Sequence, residues 1–134
     1  MPVEKMFDSL DIAVSGIKAQ DRSIKSIFSN VANSRTVDAG SGKPYRRVEA
    51  ILKAQADGLS GVEVSEMAED MSDFTEILAP GHPNADAKGF LSMPNVNLPV
   101  EIMNLGLASR AYQANAAVLK RYQDMVNTSL ELLR

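Results

Sequence analysis

The chain has 134 residues, 45% of them hydrophobic and 23% charged, with a formal net charge of -3. That length suits one domain with a single core, and the near-balanced charge supplies neither the basic face of a nucleic-acid binder nor an acidic tail. The absence of cysteine excludes disulfides, thiol catalysis and thiolate metal sites together.

The first residues, MPVEKMFDSLDIAVSG, place acids where the apolar stretch of a leader would be unbroken. No apolar run reaches the roughly 18 residues needed to cross a bilayer. The expectation is a chain that stays in the cytoplasm or leaves by a route without a cleaved leader. From about Val3 to Val31 the pattern has helical period: Leu10, Ile17, Ile24 and Val31 recur every seven residues, with Met6, Ala13, Gln20 and Ile27 on an adjoining track. Gly16 interrupts the stripe and permits close approach of a neighbour, and Asn33 is expected to end the helix as a left-handed cap.

In the next stretch, Gly40, Gly42 and Pro44 mark a turn, and YRRVEAILK fits a strand. Val62 and Val64 alternate with Glu63 and Ser65, again strand-like. Between Glu66 and Ala79 the period is ambiguous; the acids Glu66, Glu69, Asp70, Asp73 and Glu76 are expected on a solvated face, with Phe74, Ile77 and Leu78 on a buried one. APGHPNADAKGFLSMPNVNLP reads as an extended, turn-rich connector. A long helix is then expected from Glu101 to Leu133, where Leu105, Tyr112, Leu119, Val126 and Leu133 repeat at seven. With aromatics at 5% and no Trp, any core must be mainly aliphatic and Met.

These elements predict an α+β, mainly α chain: two long antiparallel terminal helices in a coiled-coil-like core with a small β-rich middle. The expected divisions are 1–36, 37–98 and 99–134. The apolar stripes are wider than one partner helix needs, which points to burial against further chains. The alternative is that the middle segment folds back over them. Around Tyr112, Gln113 and Asn115 the neighbours are small (Ala108, Ser109, Ala111, Ala114), a composition suited to a crowded helix contact in which Asn and Gln fix the register.

No catalytic, cofactor or metal site is expected. His82, the only histidine, lies in PGHPNAD with Asp86; one imidazole and one loop carboxylate are too few ligands, and a turn held by Asn84 or Asp86 is the simpler reading. Asn84 to Asn95 imitates a calcium loop, but Lys88 occupies a ligand position and Asn95 stands where a bidentate Glu is required. The acids from Glu66 to Glu76 lack the aromatic surroundings of paired catalytic carboxylates.

Taken together, AVSGIKAQ, SNVANSRT, GKPYRRVEA, PGHPNADAKGFLSMPNVN and SRAYQAN resemble the flagellar basal-body rod proteins, from about Phe7 to Leu132. The family's glycine pair before the proline is Gly42-Lys43 here, and Val37 replaces its second threonine. The resemblance implies terminal helices that build the wall of a helical axial tube, with a small β-rich region outside. It implies export through the type III apparatus, a place in the periplasm-spanning rod of the bacterial flagellum basal body, and torque transmission from membrane ring to hook. Partners would be other rod subunits, further copies of the chain and the rod-to-membrane-ring junction protein, with no nucleic acid and no small-molecule substrate. Stripe and resemblance together nominate an assembly interface of Leu10, Ile17, Gln20, Ile24, Asn30, Val31 and Asn33 on the first helix. On the second they nominate Leu105, Tyr112, Gln113, Asn115, Leu119, Val126 and Leu133. The periodicity is equally compatible with a cytoplasmic helical adaptor that closes into a dimer.

Overall fold

The computed structural model describes residues 3–56 and 61–133, with side chains described from residue 8 onward. The order is α1 (Val3–Ala32), β1 (Val48–Ala54), β2 (Val62–Glu69), β3 (Thr75–Leu78), β4 (Phe90–Met93) and α2 (Leu98–Leu132). The chain is thus α+β and mainly helical. Two long helices flank two separate antiparallel hairpins, β1–β2 and β3–β4.

The helix ends follow from local chemistry. Asn97 caps α2 in an extended conformation, its side chain accepting from the Val100 N–H at 3.3 Å. Pro99 occupies the first turn, where a missing N–H costs nothing. Asn33 closes α1, but not by turning left-handed: every described residue with positive φ is a glycine. Its side chain instead donates to the Ser29 carbonyl at 2.9 Å, and its own carbonyl accepts from the Thr36 N–H at 3.0 Å. Those two bonds take over the accounting that a left-handed cap would have done.

Both hairpins lie in the middle of the sequence. In the first, a bulge between Ile51 and Leu52 sets Ser65 outside the regular pairing, and its hydroxyl bonds back to the Ile51 carbonyl at 3.1 Å. At the far end of this hairpin Gly61, with φ of 103°, brings the chain against α1, where the Val62 N–H donates to Ser15 Oγ at 3.1 Å. A side chain at Gly61 would run into that hydroxyl. Of the second hairpin, β3 lies in the stretch whose period was ambiguous and β4 within the stretch expected to be an extended connector, and β4 is the part the period failed to show. Ile77 and Leu78, expected to be buried, are 42% and 67% exposed. A two-stranded ribbon without a second layer leaves that side open; of the three residues expected inside, Phe74 alone is covered, beneath the Arg46 guanidinium at 4.2 Å, while Leu91 on β4 is the ribbon's buried side chain.

Between the helices, Asn30 meets Glu101 and Gly16 meets Asn115. Fourteen residues back along α1 therefore correspond to fourteen forward along α2. The buried side of α1 is not the large-residue track. Ala13, Gly16, Ala19, Ser26, Ile27 and Asn30 are buried, while Leu10, Ile17, Ile24 and Val31 are half-buried. The reason is that α1 serves two neighbours at once, α2 and the first hairpin, and small side chains let both come close. At Gly16 an added Cβ would sit 2.5 Å from Asn115 Nδ2 and 2.9 Å from its Cγ.

Among the described residues the buried apolar side chains of the core are few: Ala13, Ala19, Ile27, Leu91 and Ala108. The accessible surface is 9506 Å², against about 6,900 Å² for a compact monomer of 14.5 kDa. The excess is the surface of long elements that cover one another on one side only.

Gly16→Val should weaken the α1–α2 contact by roughly 1–3 kcal/mol through overpacking, read as a lower urea midpoint. Adding Asn115→Gly should recover part of that loss, because it removes the atoms the new side chain strikes.

Candidate assembly interface and the polar junction beneath it

The deepest part of the molecule is polar. Asn30 is 1% exposed and Glu101 is 0% exposed, and they meet where α1 ends, β1 begins and α2 begins. Asn30 uses its whole hydrogen-bonding capacity. Its Nδ2 donates to the Val48 carbonyl at 2.9 Å and to Glu101 Oε2 at 3.1 Å; its Oδ1 accepts from the Val48 N–H at 2.9 Å and from the Tyr45 hydroxyl at 3.0 Å. The amide thus pairs with β1 as a neighbouring strand would. The other Glu101 oxygen accepts from Arg47 Nε at 2.6 Å, and Arg47 Nη1 reaches Glu49 at 2.7 Å and Asp70 at 3.6 Å.

Asn95 extends the network to the connector. Its Oδ1 accepts from the Arg47 N–H at 2.9 Å, and its Nδ2 donates to the Asp70 carbonyl at 2.9 Å. Burial alone would lower the Arg47 pKa, but hydrogen bonds and charge from Glu101 and Glu49 outweigh it and hold the guanidinium above its ordinary value. The Asp70 carboxyl lies below the usual range, chiefly because the Ser72 N–H donates to it at 2.9 Å. A depressed carboxylate stabilises the fold above its ordinary pKa, and that contribution is lost as pH falls through the lower folded value.

Around this junction the surface is apolar and grooved. A hollow of about 350 Å³ runs between α1 (Gln20, Ile27), β1 (Val48, Ala50) and α2 (Leu107, Ala108). Along α2, Val100, Leu107, Val118 and Met125 are 40%, 59%, 49% and 48% exposed. At helical spacing they form a second stripe, about 100° round from the side that faces α1.

The residues nominated from the sequence divide accordingly. Asn30 is buried in the junction, and Gln20 lines the groove. Leu10, Ile17, Ile24, Val31, Asn33, Leu105, Asn115, Leu119 and Val126 are half-buried, while Tyr112, Gln113 and Leu133 are exposed. Tyr112 and Leu133 share the repeat with Leu105 but lie open, because only α1 and no other described element packs on α2. Asn115 bonds within its own helix, to the Ala111 carbonyl at 3.0 Å, so the cross-helix hydrogen bond expected of it is made by Asn30 and Glu101 instead. Periodicity missed Glu101, Arg47 and Asn95. The available signal was a carboxylate one turn inside a helix start and an arginine beside a strand start, 54 positions apart. His82 sits in an exposed turn, its Nδ1 accepting from the Asn84 N–H at 3.1 Å, and Asp86 Oδ1 accepts from the Lys88 and Phe90 N–H groups at 2.8 Å each.

Comparison with known proteins places the chain in a family. Residues 87–132 match the family model described as flagellar basal body rod FlgEFG protein C-terminal. The flagellar basal-body rod protein FlgC of Agrobacterium fabrum is 36% identical over 127 residues, covering 92% of this chain and 91% of that protein. Its counterpart in Escherichia coli O6:H1 is 35% identical over 130 residues (95% and 97%), and that of Bacillus subtilis 31% over 145 (94% and 97%). The chain belongs to the flagellar basal-body rod proteins, and within them to the FlgC family.

Glu101→Ala leaves Arg47 half-enclosed without its main partner and Asn30 with an unmet donor. It should cost about 3–5 kcal/mol, measured as loss of denaturation midpoint in the purified chain.

Proposed function

We propose that this chain is a structural subunit of the flagellar basal-body rod, with no catalytic role, which polymerises into the proximal part of the helical axial tube. The observation that supports this best is the mismatch between long apolar-striped helices and the few apolar side chains buried in one copy. Contiguous apolar surface of this extent marks contact with other molecules. Family membership supplies the identity of the assembly.

On this reading the two terminal helices act as an antiparallel, coiled-coil-like pair. Working divisions at 1–36 and 99–134 are the rod helices, and 37–98 is an outer region with a connector. Their exposed residues, Tyr112, Gln113 and Leu133 among them, meet neighbouring copies and other rod subunits, and the base of the assembly meets the rod-to-ring junction protein. The chain reaches the rod through the type III export apparatus, crosses the periplasm as part of it, and passes torque from membrane ring to hook. Many weak apolar contacts repeated by symmetry suit that load, and assembly offsets the ordering entropy of long helix ends.

Electron cryotomography of basal bodies from a strain lacking the gene, beside its complemented parent, tests this directly. Rings that persist without rod or hook support the proposal; intact rods and hooks overturn it and favour a soluble helical adaptor. Leu119→Asp should abolish incorporation while sparing expression, because it places a charge in the helix contact, and normal swimming of that strain would remove Leu119 from the buried seam.

A further inference from the structure

We propose that Arg46 and Asn95 form a clasp that sets the angle between the two hairpins, and that the bend at 70–73 becomes a hinge when the clasp opens. Little else holds the second hairpin. No residue of β3 or β4 has its Cα within 8 Å of a Cα in α1, α2, β1 or β2. Toward the turn that precedes β1 the ribbon leaves an open hollow of about 290 Å³, with Val37, Pro44, Phe74 and Leu91 in its lining. Its ties to the rest of the molecule are therefore the two chain segments by which it leaves the first hairpin and enters α2, and the clasp lies on both.

Two side chains close on the same pair of carbonyls. Arg46 Nη1 donates to the Asp70 and Ser72 carbonyls at 2.9 Å each. Asn95 Nδ2 donates to the same two at 2.9 and 3.3 Å, and to Ser72 Oγ at 3.0 Å. A carbonyl oxygen has two lone pairs, so both oxygens are fully used. Arg46 precedes β1 and Asn95 follows β4; the bend is gripped by residues from opposite ends of the β region. Met71, Ser72 and Asp73 are exposed, so water competes for each of these bonds, and the bend has no apolar cover to hold it once they are lost.

An amide is the side chain this place requires. Asn95 Oδ1 accepts from the Arg47 N–H at 2.9 Å while its Nδ2 faces the carbonyls. A carboxylate of the same shape keeps the first bond and turns an oxygen toward two carbonyl oxygens, and an apolar residue makes none of the bonds. In MPNVN the two asparagines thus have separate tasks, Asn95 in the clasp and Asn97 as the cap of α2. The consequence is directional. Leu78 and Phe90 are cross-strand partners on one face of the second hairpin, 67% and 41% exposed, and the clasp decides which way that face points.

The cysteine-free sequence allows spin labels to be placed in pairs at exposed positions of the purified chain. Glu66→Cys with Lys88→Cys spans the two hairpins, and Lys53→Cys with Glu69→Cys runs along the first alone. Double electron–electron resonance should give one narrow distance for each pair when the clasp is intact. Asn95→Asp and Arg46→Met should each spread the first pair over many distances and leave the second pair narrow. A first pair that stays narrow in either variant overturns the clasp, as does one already spread with the clasp intact. If Leu91→Ala spreads the first pair where the clasp variants do not, the hairpin is held by its apolar side instead. Spreading of the second pair as well, in both variants, makes these contacts part of general folding and overturns the hinge.

Discussion

Everything else in this molecule is arranged around the burial of one carboxylate. A buried ion pair is a poor source of net stability, since desolvation consumes much of the Coulomb gain, but it is demanding about geometry. Glu101 needs Arg47 from the edge of β1 and Asn30 from the end of α1, and Asn30 in turn needs both main-chain groups of Val48. Three elements distant in sequence must be correctly placed before any of them is satisfied. The junction therefore fixes where the β region sits on the helices, which a purely apolar contact of alanines would leave loosely specified.

Away from the junction the packing relies on closeness rather than bulk. Ala13, Gly16, Ala19 and Ala108 bring backbones together without filling much volume, so the larger residues of the seven-residue tracks are left at the flanks. A self-contained protein would cover those flanks with further layers. Here they remain half-covered among the described residues of both helices, the surface on which the proposed self-association rests.

Much of the fold was legible in the sequence. The first helix was expected over Val3–Val31 and spans Val3–Ala32; the second was expected over Glu101–Leu133 and spans Leu98–Leu132. Sustained period is a local property, and local properties survive reading in one dimension. What escaped depends on partners far along the chain. Arg47 and Glu101 have no shared signature, and β4 emerges only through its pairing with β3. Ile77 and Leu78 were expected inside because apolar residues opposite acids suggest a buried face; nothing local shows that no second layer packs on that side of the ribbon. The large-residue track on α1 was assigned to the seam for a similar reason, since the sequence does not say that one helix must divide itself between two neighbours.

The uneven distribution of these contacts has a mechanical meaning. The hydrogen-bonded junction grips one end of the helix pair, and beyond Ala108 no described residue of α2 is fully buried. Within one copy α2 is clamped at its start and less covered toward its C-terminal end, whereas α1 is held a second time near Ser15 by the first hairpin. The C-terminal part of α2 is therefore the segment of the helix pair that a load would bend most readily.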